Sequence, residues 1–434
     1  MQLITLMAIL FFVISLFMIF AKKINFLYYF PLILVLYDTF FLGVYIGKYF
    51  FHDTIAILIL FFFISAYATK SIKYFKINWW IVLFFILSIL KLADSENIMR
   101  STLSLIKILG SMMMIFVGFT NIKSLTQLDK LNKTMIYILF IFILNFIYSN
   151  LFKIGADSYS IGIYAGNLFS EMSFVAIIPL LLIPYLIIRK RFLSKQILIG
   201  ALVIALVIFL MLLRRTPIMM ILSGFITMYL IYASKRISTV FKSIFYVILF
   251  VIALNSIFPN VVDNYISLFD LRGRSLSTTS ETIEKEGRII EIQQLFQNRF
   301  TFKDVKASLV GDDYFYSKAS TGKYAENLSK DRPMHTILTM ILYYTGLLGL
   351  LIYLMIQVKI IKWGIKLRNL ANKHNKEYLI LYSLYLSLIS VLLLSNMSKG
   401  LVTPTFSITI FLYLGALTRI LLERNTTLKY ILPS

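Results

Sequence analysis

Long runs of apolar residues, separated mostly by short polar connections, occupy most of the chain. A membrane-spanning helix needs roughly 20 consecutive apolar residues, and these runs are close to that length. They predict thirteen spans, at residues 3–20, 24–42, 52–69, 77–91, 101–119, 134–151, 168–188, 196–212, 216–234, 240–257, 336–357, 377–394 and 403–422. Because a bilayer forces backbone polar groups to pair internally, the pattern predicts an all-α integral membrane protein with about 12–14 transmembrane helices.

Composition narrows the class further. Hydrophobic residues make up 59% of the chain and charged residues 15%, a balance that excludes an ordinary soluble protein. The runs lack the strict alternation of membrane β-strands. The absence of cysteine excludes disulfides and thiolate metal sites. The first run is followed by Lys22 and Lys23, so it is expected to remain as a span rather than to be cleaved as a signal peptide.

The formal net charge of +23 is distributed unevenly. With the amino terminus outside, the loops that face the cytoplasm carry about two dozen basic residues, against about eight in the short outward loops. The inward acids are only Asp129, Glu377 and Glu423. Because basic loops stay on the cytoplasmic side, this asymmetry predicts the orientation. The positive net charge is therefore accounted for by the basic inward loops of a membrane protein, and no nucleic-acid partner is predicted.

The spans and polar segments divide the chain into four regions. They are an N-terminal transmembrane scaffold at 1–152, transmembrane helices at 153–257, a large outward loop with amphipathic helices at 258–335, and C-terminal transmembrane helices at 336–434. We find no internal repeat. In the scaffold, Asp38 and Lys107 lie near predicted span ends, where an ionisable group either faces a cavity or reaches the interface.

Charged residues at predicted outer helix ends are candidate substrate contacts. Glu171 lies at the mouth of a span, where its carboxylate either stabilises the positive helix end or accepts hydrogen bonds from sugar hydroxyls. Arg214 and Arg215 form the tip of an outward hairpin, with Pro217 at the start of the next helix. Guanidinium groups beside a helix amino terminus suit a phosphate. The alternative is that both arginines bind lipid headgroups generally.

The large outward loop has 78 residues with eleven basic and eleven acidic side chains, too neutral a balance for a polyanion-binding arm. Its length and helical periodicity favour a folded, functional segment. An amphipathic stripe runs through Ile289, Ile292, Leu295, Phe296 and Phe300.

Polar residues flank that stripe. Arg288 lies at its edge and either points toward the cavity that the stripe covers or is solvated. Asp312 and Asp313 follow a glycine, and they indicate a capped turn rather than a divalent-ion site because no third ligand is placed with them.

His335 lies where the large loop enters the next apolar helix. A neutral imidazole accepts a proton near pH 7, so this histidine could serve as a general base at the lip of a membrane cavity. The alternative is a histidine that caps or anchors a helix end. Beyond it, Gly346 and Gly349 allow close packing against a neighbouring helix.

Four segments in this order resemble the bacterial O-antigen polymerases and O-antigen ligases, which are membrane glycosyltransferases that use undecaprenyl-diphosphate-linked glycans. The segments are LFSEMSF, RRTPIMMILSG, EGRIIEI and MHTILTMILYYTGLLGLLIYL. The resemblance covers roughly residues 165–360. The first six predicted spans match the family only in general character. One position departs from the family: Thr336 stands where an asparagine often follows the histidine.

The resemblance implies a GT-C-like fold in the bacterial inner membrane, with a metal-free and cofactor-free active site that faces the periplasm. It implies catalytic roles for Arg215, Arg288 and His335, and substrate binding by Arg214 and Glu171. Donor and acceptor are then undecaprenyl-diphosphate-linked oligosaccharides within the membrane lipid, and a chain-length regulator is a candidate partner.

Three other functions stay open at this point. The Glu171 segment favours a polymerase, and an O-antigen ligase that transfers the glycan to lipid A-core is the alternative. A polysaccharide-lipid transporter or flippase also needs many spans, but such proteins usually have repeated halves. The third is a structural scaffold for an assembly complex, which would give the outward arginines no function.

Overall fold

A computed structural model of the 434-residue chain provides the coordinates. It describes residues 2–21, 24–40, 45–46, 49–50, 57–59, 78–94, 98–154, 164, 174–189, 192–212, 215–233, 295–296, 300–302, 304–311, 336–371, 376–398 and 403–423.

Helices account for nearly all of the described residues. In chain order they are α1 (Gln2–Phe20), α2 (Ile24–Phe40), α3 (Trp79–Lys91), α4 (Ile98–Asn121), α5 (Leu125–Phe152), α6 (Ile177–Arg189), α7 (Lys195–Met211), α8 (Arg215–Ala233), α9 (Val305–Val310), α10 (Ile337–Ala371), α11 (Lys376–Ser395) and α12 (Pro404–Glu423). A 3₁₀ turn (Leu92–Asp94) follows α3. A two-residue antiparallel pair joins β1 (Tyr45–Ile46) to β2 (Tyr49–Phe50), with Tyr45 opposite Phe50.

Five helices in the described part of the chain are long and apolar enough to cross a membrane, namely α4, α5, α10, α11 and α12. The prediction of a helical membrane protein is confirmed at this level. Most predicted spans coincide with these or with shorter apolar helices, whereas the spans at 52–69 and 240–257 lie largely or wholly outside the described residues. The total number of spans and the GT-C-like architecture stay predictions.

Side-chain caps explain where two helices begin. Ser124 starts α5 with a reciprocal capping box: its hydroxyl accepts from the Gln127 backbone N–H, and the Gln127 side chain accepts from the Ser124 backbone N–H at 3.1 Å. Asp304 starts α9 by accepting from the Ala307 backbone N–H at 3.0 Å. These bonds satisfy amide groups that have no partner within their own helix.

The core is centred on α12, which is buried along almost its whole length. It crosses α4 at two glycines. A Cβ on Gly118 would collide with the backbone of Leu412, and a Cβ on Gly415 would collide with the backbone of Ile115. Small residues at such a crossing let two helix backbones approach closely, which is a common way of packing helices in membranes.

The long helix α10 is not straight. Gly346 has φ 61° and ψ −165°, a conformation that essentially only glycine adopts. On either side of it, the Ile337 backbone N–H donates to the Asn396 carbonyl at 3.2 Å, and the Gln357 side chain donates to the Asn396 side chain at 2.9 Å. Residues twenty positions apart would lie about 30 Å apart in a straight helix, which is too far for both to contact one residue. The helix therefore doubles back at Gly346.

We call residues 337–345 the first limb and residues 347–371 the second limb of α10. The sequence predicted an unbroken span at 336–357, and that prediction is corrected here. Its glycines were expected to allow close packing against a neighbour, and Gly346 does pack closely, against the backbone of Leu309, while it also forms the corner between the limbs. The second limb alone is long enough to cross a bilayer, at about 1.5 Å per residue.

Part of the large loop packs directly on this corner. A Cβ on Gly346 would collide with the backbone of Leu309 in α9, and a Cβ on Gly311 would collide with the Tyr344 carbonyl. Gly311 itself has φ 83°, so glycine is required there for conformation as well as for space. Lys91, at the end of α3, donates from Nζ to the Gly311 carbonyl at 3.2 Å. The corner is thus held by both the loop and a neighbouring helix.

The amphipathic stripe predicted in the large loop is visible in part. Leu295 is buried, and Phe296 packs against the core and stacks on Phe300 with ring centroids 5.2 Å apart. Phe300 is half exposed. Ile289 and Ile292 lie outside the described residues.

Candidate functional site

The residues predicted to act on the substrate are not placed by the described part of the structure. Glu171, Arg214, Arg288 and His335 lie outside the described residues. Arg215 is the first residue of α8, one residue before the predicted start of the span at 216, but its side chain lies outside the described residues. Their roles therefore stay predictions.

Of four further charged residues singled out in the sequence, one has a described side chain. Asp312 and Asp313 lie outside the described residues, as does the side chain of Asp38 in α2. Lys107 lies within α4 and is partly buried. In the described part of the chain, no three potential ligands among His, Asp and Glu come together as a metal site would need.

The start of α10 is the nearest described structure to the proposed base. Thr336 follows His335 directly in the sequence and is only 4% exposed. Its hydroxyl oxygen accepts from the Thr339 backbone N–H at 3.2 Å, and the two threonine hydroxyls lie 2.8 Å apart. This is the geometry of a helix N-cap, in which a side-chain oxygen satisfies an otherwise unpaired amide. Thr336 thus caps the first limb inside the protein.

A buried group that we call the amide cluster lies beside this cap. It consists of Tyr353, Gln357 and Asn396. The Asn396 side-chain oxygen accepts from the Tyr353 hydroxyl at 2.6 Å and from the Gln357 amide at 2.9 Å, and the Asn396 amide donates to the Gln357 oxygen at 2.8 Å. The Asn396 backbone carbonyl accepts the first N–H of the limb, from Ile337. The cluster therefore connects the second limb to the beginning of the first.

A second polar group, the arginine cluster, lies where the sequence predicts the cytoplasmic ends of the helices. Arg189 at the end of α6 is 2.9 Å from Glu377 of α11 and 3.8 Å from Asp129 of α5. It also donates to the Tyr185 hydroxyl at 3.0 Å. One guanidinium thereby joins three helices at this end.

Three further contacts lie near the same end of the bundle. Arg419 and Glu423, one turn apart in α12, form an ion pair with the arginine Nε 2.6 Å from the carboxylate, and Arg419 also lies over the Phe119 ring. The buried Tyr413 hydroxyl donates to the Asn132 side chain at 2.9 Å, which ties α12 to α5. With the arginine cluster, these contacts give each of the three predicted inward acids an arginine partner.

Sequence reasoning missed both clusters as units. Asn396 falls in a short predicted loop to which no chemistry was assigned, and Gln357 closes a predicted span. The available signal was the presence of single amide side chains inside or beside long apolar runs, since a buried amide must find a partner. The pairing of these amides depends on the corner at Gly346, which periodicity does not reveal.

Comparison with known proteins adds no assignment: no model of a protein family matches this sequence, and no characterised protein does.

Proposed function

We propose that this protein is a surface-polysaccharide polymerase of the O-antigen type. It transfers a glycan from undecaprenyl diphosphate to the non-reducing-end sugar of a second lipid-linked repeat unit. The proposal starts from the resemblance of the ordered motifs that carry Glu171, Arg215, Arg288 and His335. It is supported by the described surroundings of the helix that follows the histidine.

The observation that carries the proposal is the buried cap at Thr336. The structural alternative for His335 was a helix-capping role, and the Thr336 hydroxyl already fills that role for the first limb. The limb begins in the protein interior rather than at an exposed surface, because Thr336 and Ile337 are both buried. Because Thr336 fills the cap, this helix does not need His335 for capping, and that supports the general-base role over the structural alternative.

The proposed chemistry is a direct displacement. An acceptor hydroxyl attacks the anomeric carbon of the donor while His335 takes its proton. The bond from that carbon to the diphosphate oxygen breaks, and undecaprenyl diphosphate leaves. Arg215 and Arg288 stabilise the negative charge that grows on the diphosphate. Attack from the side opposite the leaving group inverts the anomeric carbon.

The closed arginine end favours an enzyme over the transporter alternative. A transporter with alternating access has to open each membrane face in turn. At the predicted cytoplasmic face, Arg189 bridges α5, α6 and α11, so opening would separate charges that are only partly exposed. A bundle held together at this face suits a transferase whose substrates both reach it from the outer leaflet.

The test is product formation from a defined substrate. Purified protein is incubated with an undecaprenyl-diphosphate-linked repeat unit, and the products are separated by size. We expect a ladder from the wild-type protein and at least about a 100-fold lower rate from His335→Ala, since a general base contributes roughly 100- to 10,000-fold. His374→Ala is the matched control, because this histidine lies in a predicted inward loop, and it should leave the ladder unchanged.

Two results would contradict the assignment. A normal ladder from His335→Ala would show that this histidine is not the base. A wild-type protein that makes no ladder but moves a preformed glycan onto lipid A-core would be a ligase.

Lysine substitutions test the arginines in the same assay. Arg215→Lys and Arg288→Lys keep the charge but lose the paired hydrogen bonds to phosphate, so each should lower the rate about tenfold or more with normal expression. Full activity in both variants would indicate nonspecific binding to lipid headgroups.

A further inference from the structure

The three side chains of the amide cluster hold one another in a single arrangement. Both lone pairs of the Asn396 side-chain oxygen are used, one by the Tyr353 hydroxyl and one by the Gln357 amide. The Asn396 amide returns a hydrogen bond to Gln357. Since Tyr353, Gln357 and Asn396 are each at most 6% exposed, water does not compete for these bonds. Asn396 is therefore fixed relative to the second limb of α10.

The backbone of Asn396 transmits that constraint to the first limb. Its carbonyl accepts the N–H of Ile337 at 3.2 Å, and this N–H belongs to the first turn, where helices have no internal acceptor. Thr336 supplies the neighbouring cap bond to Thr339. The beginning of the limb is consequently located by one bond to Asn396 and one internal cap. The far end of the limb is located by the corner at Gly346.

We infer that Tyr353, Gln357 and Asn396 are positioning residues for the transfer reaction. They fix the point at which the chain enters the first limb, and so they fix Thr336, the residue bonded directly to His335. This inference rests on the proposed function, in which His335 is the base. The physical reason is that a displacement of about 1 Å in a reacting group can lower a rate about 100-fold.

The inference has a structural half, that the amide cluster fixes the first limb, and a catalytic half, that this position is needed for transfer. Thiol labelling tests the structural half without any substrate. The chain has no cysteine, so Met340→Cys places a single buried thiol in the first limb, and Met135→Cys places one in α5. We expect Asn396→Ala to speed maleimide labelling at position 340 about tenfold, because the Gln357 amide loses its partner and the limb opens more often. Tyr353→Phe, which removes only a hydroxyl, should speed it about threefold.

Two controls separate local opening from general loosening. Labelling at position 135 should stay unchanged in every variant. Ser395→Ala removes a buried hydroxyl next to Asn396 whose bond goes to Leu392 within its own helix, and it should leave position 340 unaffected. Equal acceleration at positions 135 and 340, or no acceleration at 340, would overturn the inference.

Kinetics with the lipid-linked repeat unit test the catalytic half. We expect Tyr353→Phe to lower kcat about tenfold with KM changed less than twofold, since substrate binding rests on other groups. The double variant Gln357→Met with Asn396→Leu removes both amides, so its thermal stability should exceed that of Asn396→Ala while its kcat stays low. Recovery of kcat together with stability would overturn positioning and leave a purely structural role.

The two proposals fail in different ways. A wild-type protein without transfer activity would overturn the proposed function and the catalytic half of this inference, while labelling would still decide the structural half. An active wild type whose Tyr353→Phe and Asn396→Ala variants match it in both labelling and kcat would overturn the positioning role and leave the function standing.

Discussion

The amide cluster and the arginine cluster are both buried polar groups that connect helices, but they are built from different chemistry. The amide cluster contains no formal charge and is at most 6% exposed. In the arginine cluster, the side chains of Asp129, Arg189 and Glu377 are 10%, 13% and 31% exposed. Of these two clusters, only the one that solvent partly reaches carries charge.

This difference follows from the cost of desolvation. An ion inside a low-dielectric region costs far more than a neutral amide, even when it is paired. A neutral cluster can be fully satisfied by hydrogen bonds and can then fix a geometry in the interior. An ion pair near a helix end keeps part of its hydration and can join neighbouring helices there. We therefore expect the amide cluster to fix a geometry in the interior and the arginine cluster to hold three helices together at one end.

The largest expected effect tests which end of the bundle faces the cytoplasm, since the comparison depends on it. Single cysteines at Ser277 and Lys373 should behave oppositely toward a membrane-impermeant maleimide applied to spheroplasts: position 277 should react and position 373 should not. Labelling at 373 should appear after the cells are lysed. The reverse pattern would place the arginine cluster outside and remove its role in closing the inward end.

The next effect concerns the corner that brings the two limbs together. Gly346→Ala forces a side chain into a conformation that is nearly restricted to glycine, and it drives a Cβ into the backbone of Leu309. We expect a loss of at least about 3 kcal/mol, seen as a low yield of monodisperse protein in detergent.

A matched glycine provides the control for the corner. Gly200 lies in the middle of α7, and a Cβ there would meet no atom within 4 Å. Because alanine is the better helix former, Gly200→Ala should stabilise the protein by about 0.5–1 kcal/mol. If both variants behaved alike, the corner would not be the element that holds the amide cluster together.

The contrast between Gly346 and Gly200 shows which features of the fold could be predicted from the sequence and which could not. Apolar runs located most of the described helices, because length and hydropathy are local properties. The charge asymmetry grouped Asp129, Glu377 and Glu423 at one predicted side, and each of them has an arginine partner in the structure, while the side itself stays a prediction. The corner at Gly346 arises from contacts with α9, which is separated from it by a long polar segment. Tertiary contacts of that kind decide a backbone conformation that periodicity cannot express.

The arginine cluster provides the third test. Arg189→Ala leaves Asp129 and Glu377 without their shared guanidinium, and it should lower stability by about 2 kcal/mol, less than for a fully buried pair because part of the cluster is solvated. The measurement is the midpoint of thermal unfolding in detergent at a fixed scan rate. Lys195→Ala removes an exposed positive charge at the same end and should change stability by less than about 0.5 kcal/mol.

The smallest expected effect tests whether stability at this end depends on the bridge between helices or only on the balance of charges. Arg419 and Glu423 pair within one turn of α12, and the Glu423 side chain is 30% exposed. Such i,i+4 pairs contribute about 0.3–0.5 kcal/mol. Glu423→Gln removes the charge but keeps an acceptor for the guanidinium, and Arg419 retains its position over the Phe119 ring.

The unfolding midpoint of Glu423→Gln should therefore fall by about 1 °C or less, several times less than that of Arg189→Ala. Both substitutions remove one charge from the predicted cytoplasmic end, but only Arg189 contacts acids on two other helices. If the two variants lost equal stability, the inward end would depend on its net charge rather than on the bridge. The arginine cluster would then hold no particular geometry, and the closure that argues against a transporter would lose its support.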